Sequence, residues 1–150
     1  MVVSEDYVLV KVAGVFVANT GENSEETGPV VFLESEKKLI LPIYIGVSEA
    51  FSIQTAMDNT PYPRPLTHDL FINVLENSGL RIEKIVIDDI SEGVFFSRLI
   101  VSKNGDGDRS EFDARPSDCI ALSVRTNAPV YVSAKVMEQA SVEKNDYTVE

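Results

Sequence analysis

The run YVLVKVAGVFVA, from Tyr7 to Ala18, is apolar at nearly every position and rich in valine. Valine is stiff at χ1 and fits a pleated strand better than a helix. A strand with apolar residues pointing both ways has to be covered on both faces. The run therefore predicts a central strand, bent at Gly14. A chain built around such a strand is a sheet protein with other layers packed on it. Its 150 residues suit one domain with one sizeable core.

The other elements follow from period and punctuation. PVVFLE and KLILPIYI read as two strands joined by a SEKK turn, and Pro42 places the second near an edge. Val47 to Asp58 has Ala50, Ile53 and Met57 at helical spacing. TPYPRP, with three prolines, is a rigid extended connector. A second helix starts with Thr67 as its N-cap and stops at Gly79. LRIEKIVIDDI and VFFSRLIVSK are strands joined at SEG, and RSEFDA is a third strand after the NGDGD turn. A helix over about Pro116 to Thr126, a short strand PVYV and a short helix SAKVMEQA capped by Ser133 complete the core. The order strand, strand, strand, helix thus occurs twice, and Ser48 lies over Ser117 when the two stretches are aligned. The expected architecture is α+β: internally duplicated strand-strand-strand-helix units, a mainly antiparallel sheet, an intervening helix and a short C-terminal helix. One domain is expected over residues 1–140, with 141–150 as an acidic flexible tail. NTGENSEETG is expected to be a solvated acidic loop.

Composition excludes some classes. No run of 18 or more apolar residues is present, so no membrane-spanning helix and no membrane partner are expected. The N-terminal residues lack the pattern of a secretory leader. The single cysteine, Cys119, rules out an internal disulfide and a multi-cysteine zinc site, and a cytoplasmic location is expected. The formal net charge of -11 opposes broad electrostatic attraction to nucleic acid, leaving a local basic groove as the route to such a partner. Phosphate-binding loops, dinucleotide fingerprints, zinc-protease motifs and calcium loops are missing, and no organic cofactor is expected.

Two charged clusters stand out. In DARPSD, Pro116 suits the first helical position and Arg115 the N-cap. Asp118 is then the third helical residue, where the helix dipole favours an acid; Glu49 holds the matching place after Gly46. Capping accounts for those two acids. Asp113 and Arg115 admit either a local ion pair or a phosphate clamp by Arg115 with Asp113 on a cation. In PRPLTHDL, His68 is the only histidine, at a helix start, and suits either a surface or capping role or a general base or metal ligand. Arg64, between two prolines, has few conformations to lose on binding an anion, and equally suits a structural salt bridge.

Together, LPIYIGVSEAFSIQTAM, RPLTHDLFINVLENSG, IVIDDISEGVFFSRLIV and FDARPSDCIALSVRTNAPVYVS resemble the bifunctional nuclease (BFN) domain family over about Val8 to Ala140. Cys119 departs from the small residue expected at its place. The resemblance implies a compact α+β domain that forms homo-oligomers, dimers or larger, and nuclease activity on RNA and DNA. It carries over Arg64, His68 and Asp69 from the first signature, and Asp113, Arg115, Ser117 and Asp118 from the second. The expected chemistry is phosphodiester hydrolysis with His68 as base and Arg64 and Arg115 on the phosphate. Asp69, Asp113 and Asp118 would carry Mg²⁺ or Mn²⁺. The alternative is a non-catalytic oligomeric binding or regulatory module in which the same charges form a structural network.

Overall fold

The computed structural model describes residues 6–19, 27–104 and 107–146. Most of the NTGENSEETG loop and part of the NGDGD turn lie outside those residues. The first half of the chain is β1 (Tyr7–Asn19), β2 (Thr27–Ser35), β3 (Leu39–Tyr44) and α1 (Val47–Met57). After α2 (Thr67–Asn77), the second half repeats the order with β4 (Leu80–Ser91), β5 (Val94–Lys103), β6 (Arg109–Ala114) and α3 (Pro116–Thr126). The chain closes with β7 (Val130–Ser133), α4 (Ala134–Ala140), β8 (Val142–Glu143) and a 3₁₀ turn at Lys144–Asp146.

The described strands form one sheet in the order β6-β5-β4-β7-β1-β2-β3-β8. Each half is an antiparallel meander, as hairpin-length turns require. Strand β7 joins them, antiparallel to β1 and parallel to β4. The α+β class expected of the sequence is therefore the observed one.

Strand β1 is central, between β7 and β2, and its register shifts between Val12 and Gly14, where the bend was expected. It is not covered on both faces, however: Leu9 and Val17 are exposed. The doubly covered strand is its neighbour β2, where Val30, Val31, Phe32 and Leu33 are all buried. Successive residues of a strand point to opposite faces, so these four serve two cores. Val31 and Leu33 join the main core with Ile85, Ile87, Ile120 and Ile53, while Val30 and Phe32 form a smaller cluster with Ile40, flanked by Phe16 and Val142. Each fully buried aliphatic side chain contributes roughly 1.5–3 kcal/mol of transfer free energy. Val142 helps explain why the chain after Ala140 begins as a strand on β3 rather than as a loose tail; Lys144 adds an ion pair to Glu34 at 3.2 Å.

Helix α3 is the central helix. Ser117 and every residue from Cys119 to Ser123 are buried, whereas α1 buries Ala50, Ser52 and Ile53, and α2 buries none completely. Its end is marked by Asn127 in the left-handed conformation at φ 64°, a place that asparagine tolerates. Among the described residues no helix is long and apolar enough to cross a membrane.

Candidate functional site

Two helix starts build the site. At the end of β6 the backbone turns at Arg115, the N-cap of α3, and Pro116 opens the helix as its spacing predicts. At the end of the proline connector the N-cap of α2 is Leu66, one residue before the expected Thr67. A leucine side chain cannot accept a hydrogen bond, so the helix is closed from within: the Leu66 N–H donates to Asp69 Oδ2 at 3.0 Å. That fixes the first turn of α2 and with it His68.

His68 reaches between α1 and α3. Its Nε2 lies 2.9 Å from Asp118 Oδ1 and its Nδ1 lies 2.7 Å from Ser52 Oγ. An ionised carboxylate only accepts, so Nε2 carries a proton and donates to Asp118; in the neutral ring Nδ1 then accepts from the Ser52 hydroxyl. The chain of contacts continues. Arg115 Nε donates to Asp118 Oδ2 at 3.0 Å, and Arg115 Nη1 approaches Glu49 Oε1 at 3.4 Å. Burial pushes the Asp118 carboxyl up, but the hydrogen bonds from Arg115 and His68 outweigh it and hold the group below the usual aspartate value. Asp118 keeps the acidic place in the first turn that the helix dipole favours, but it makes no cap hydrogen bond: both its oxygens go to side chains.

His68, Asp113, Arg115 and Asp118 all line one cleft of about 760 Å³ between α2 and the β5–β6 hairpin. Its walls are apolar and include Phe71, Leu99 and Phe112. The guanidinium of Arg115 is largely exposed at the rim, and Asp113 is exposed with no side-chain partner among the described residues. The local ion pair between Asp113 and Arg115 is therefore not formed. A polar cluster at one end of an apolar hollow is the usual form of a small-ligand or catalytic site.

The structure does not bring the remaining expected residues there. Arg64 and Asp69 line a separate hollow on the other side of α2. His68 and Asp69 are consecutive in α2, and about 100° of rotation per residue sends the two side chains to different clefts. Asp69 Oδ1 accepts from Arg125 Nε at 2.8 Å. Burial pushes the Asp69 carboxyl up, yet the Arg125 and Leu66 bonds hold it below its ordinary value. The ligand set of Asp69, Asp113 and Asp118 is thus split, and among the described residues no three histidine, cysteine, aspartate or glutamate side chains gather to hold a metal ion. Asp113 and Asp118 share the His68 cleft, and Asp69 lies apart from them.

Sequence reasoning missed Ser52 and Arg125. Ser52 had a faint signal, one turn after Glu49 on the same helix. Arg125 had none, because its partner Asp69 is 56 residues away. Cys119 is buried against Ser97, and burial pushes its thiol up to about 11, so it takes no part as a thiolate.

The sequence profile of the bifunctional nuclease domain matches residues 30–145, which includes every residue of both clefts described above. The chain belongs to the bifunctional nuclease domain family. An uncharacterized protein of Mycobacterium tuberculosis is 37% identical over 115 residues, spanning 76% of this chain and 67% of its own. Bifunctional nuclease 2 of Arabidopsis thaliana is 29% identical over 105 residues, and bifunctional nuclease 2 of Oryza sativa is 26% identical over 117. The match covers only 32% and 36% of those two plant proteins, so this family member shares one region of them.

Proposed function

We propose that the protein is a nuclease that hydrolyses phosphodiester bonds of RNA or DNA in the cleft beneath α2. The observation that carries this reading is the convergence of His68, Asp113, Arg115 and Asp118, from two distant stretches of chain, on one cleft. Membership of a family whose plant members are named bifunctional nucleases supports it.

Phosphodiester hydrolysis needs a base for the attacking water, positive charge on the phosphate and a proton for the leaving oxygen. Arg115 presents a planar fork of donors that matches phosphate oxygens, and its long contact to Glu49 is readily given up. Asp113 is a better base than His68, because it has no hydrogen bond to surrender whereas both imidazole nitrogens are engaged. His68 keeps its Nε2 proton on Asp118 and so holds that carboxylate in line with Arg115; the leaving oxygen takes up the proton that Asp113 removes from the attacking water. No divalent cation is assigned a step.

The test is cleavage of labelled single-stranded RNA and DNA in Mg²⁺, Mn²⁺ and EDTA in parallel, with thermal melting of each variant. Asp113→Asn is expected to abolish cleavage while changing stability by no more than about 0.5 kcal/mol, as for other exposed positions. A wild type that cleaves nothing, or a variant that cleaves equally well, overturns the reading.

One observation favours a second reading. The His68 side chain is 14% exposed, and the series Ser52, His68, Asp118, Arg115 and Glu49 ties α1, α2 and α3 together. In a non-catalytic binding module these bonds hold the helices and do no chemistry. The same assay decides: His68→Ala would lower the melting temperature, with no cleavage in any variant.

A further inference from the structure

The hollow across α2 from the proposed active site has about 530 Å³ and a chemistry of its own. Its charged lining is Arg64, Arg125 and Asp69, a net positive set in a chain whose formal charge is -11. Most arginines of this protein are paired: Arg98 with Asp88 and Glu111, Arg109 with Glu83, Arg115 with Asp118, Arg125 with Asp69. Arg64 makes no hydrogen bond or ion pair with any described residue, although acids outnumber bases by 24 to 13 in the sequence. Pro63 and Pro65 restrict the backbone on both sides of it, so a ligand meets a guanidinium mounted on a stiff support.

Arg125 is the second observation. Its side chain is only 8% exposed. Nε is engaged by Asp69 and Nη1 by the Ala121 carbonyl, at 2.8 and 2.9 Å. Nη2 has no partner among the described residues, on a side chain held by those two bonds at the wall of the hollow. Asn59, Asn73 and Thr60 add neutral donors, and Tyr62 and Ile72 add apolar surface. Two guanidiniums, one free and one fixed with an open edge, suit a phosphoryl group accepting several charge-assisted bonds. The volume exceeds what a bare phosphate needs and lies in the range of small-ligand sites.

We propose that this hollow is a second binding site, separate from the His68 cleft, for a phosphate ester of nucleotide size, with Arg64 and Arg125 on the phosphoryl group. The phosphate comes either from a free mononucleotide or from a nucleic-acid strand.

The test is titration of the intact, isotope-labelled protein with adenosine monophosphate, inorganic phosphate, adenosine and an unphosphorylated single-stranded oligonucleotide, followed by amide chemical shifts. Adenosine monophosphate is expected to shift Arg64, Asn73 and Arg125 saturably, with adenosine far weaker. Arg64→Ala is expected to weaken binding by about tenfold, the loss of one charge-assisted contact. Arg81→Ala, the other arginine without a partner among the described residues, is the control and changes nothing. Arg125→Lys tests the fixed guanidinium with its positive charge kept. An oligonucleotide that displaces adenosine monophosphate identifies the strand as a source of the phosphate; no displacement identifies the free nucleotide. Shifts that do not saturate, that centre on Arg115 and His68, or that survive Arg64→Ala unchanged overturn the proposal. The readout needs no cleavage, so it stands or falls apart from the nuclease reading.

Discussion

The two halves of the molecule share an element order and differ in how they are closed. In the first, β3 is bordered by β8, β2 is buried on both faces and α1 begins at a glycine. In the second, β6 is an edge strand exposed along nearly all its length, and α3 begins at an arginine. Glu49 and Asp118 hold the same third position of their helices, yet Asp118 is engaged by two cationic or protonated partners and Glu49 by one long contact. The first half is filled by packing, and the second leaves a cleft into which polar groups from α2, from the end of β6 and from the start of α3 project. An open edge beside a deeply buried helix is a good place for chemistry, because the helix holds the side chains rigidly while the edge admits a ligand.

The contrast is most sharply broken in the helices. Ile120→Ala, in the middle of α3, is expected to cost about 3–4 kcal/mol in urea unfolding, since it empties a fully buried site. Phe51→Ala on the exposed side of α1 is expected to cost less than about 1 kcal/mol. Equal losses would mean that α3 is not the central helix.

A smaller effect is expected from His68→Ala. It leaves Ser52 and Asp118 each short of one hydrogen bond and is expected to cost roughly 1–2 kcal/mol. Ser52→Ala, which leaves the bond to Asp118 in place, is expected to cost about half as much. If the two cost the same, the Asp118 side of the ring adds no stability.

The smallest effect concerns acid. The Asp118 carboxyl is held below its ordinary value of 3.8 in the folded protein, so its contribution is complete above that pH and is lost as pH falls through the folded value. Stability followed from pH 6 down to about pH 2 is expected to fall less steeply in Asp118→Asn than in the wild type. An identical slope would remove the ion pair with Arg115 from the account.

Where sequence reasoning succeeded, a local rule was enough. Pro116 at the first helical position, Gly79 after α2, Ser133 as the cap of α4 and the irregularity at Gly14 each depend on the residue and its neighbours. Where it failed, the deciding partner was remote. Apolar run length assigned two-sided burial to β1, but which strand of the β1–β2 hairpin is buried twice depends on what packs outside the sheet. Helix position assigned Asp118 to capping, but a histidine 50 residues earlier competes for the same oxygen.

The sequence by itself determined the α+β class, the order of its strands and helices as far as α4, the family, and the residue types available for chemistry. Those follow from periods of 2 and 3.6, from proline and glycine, and from short motifs, all of them local along the chain. Only the tertiary structure decided which charges meet. His68 and Asp69 are adjacent in sequence and project into different hollows, while His68, Ser52 and Asp118 come from three helices and share hydrogen bonds. A one-residue step turns a helical side chain by about 100°, so neighbours in a motif are separated by the same geometry that brings distant residues together.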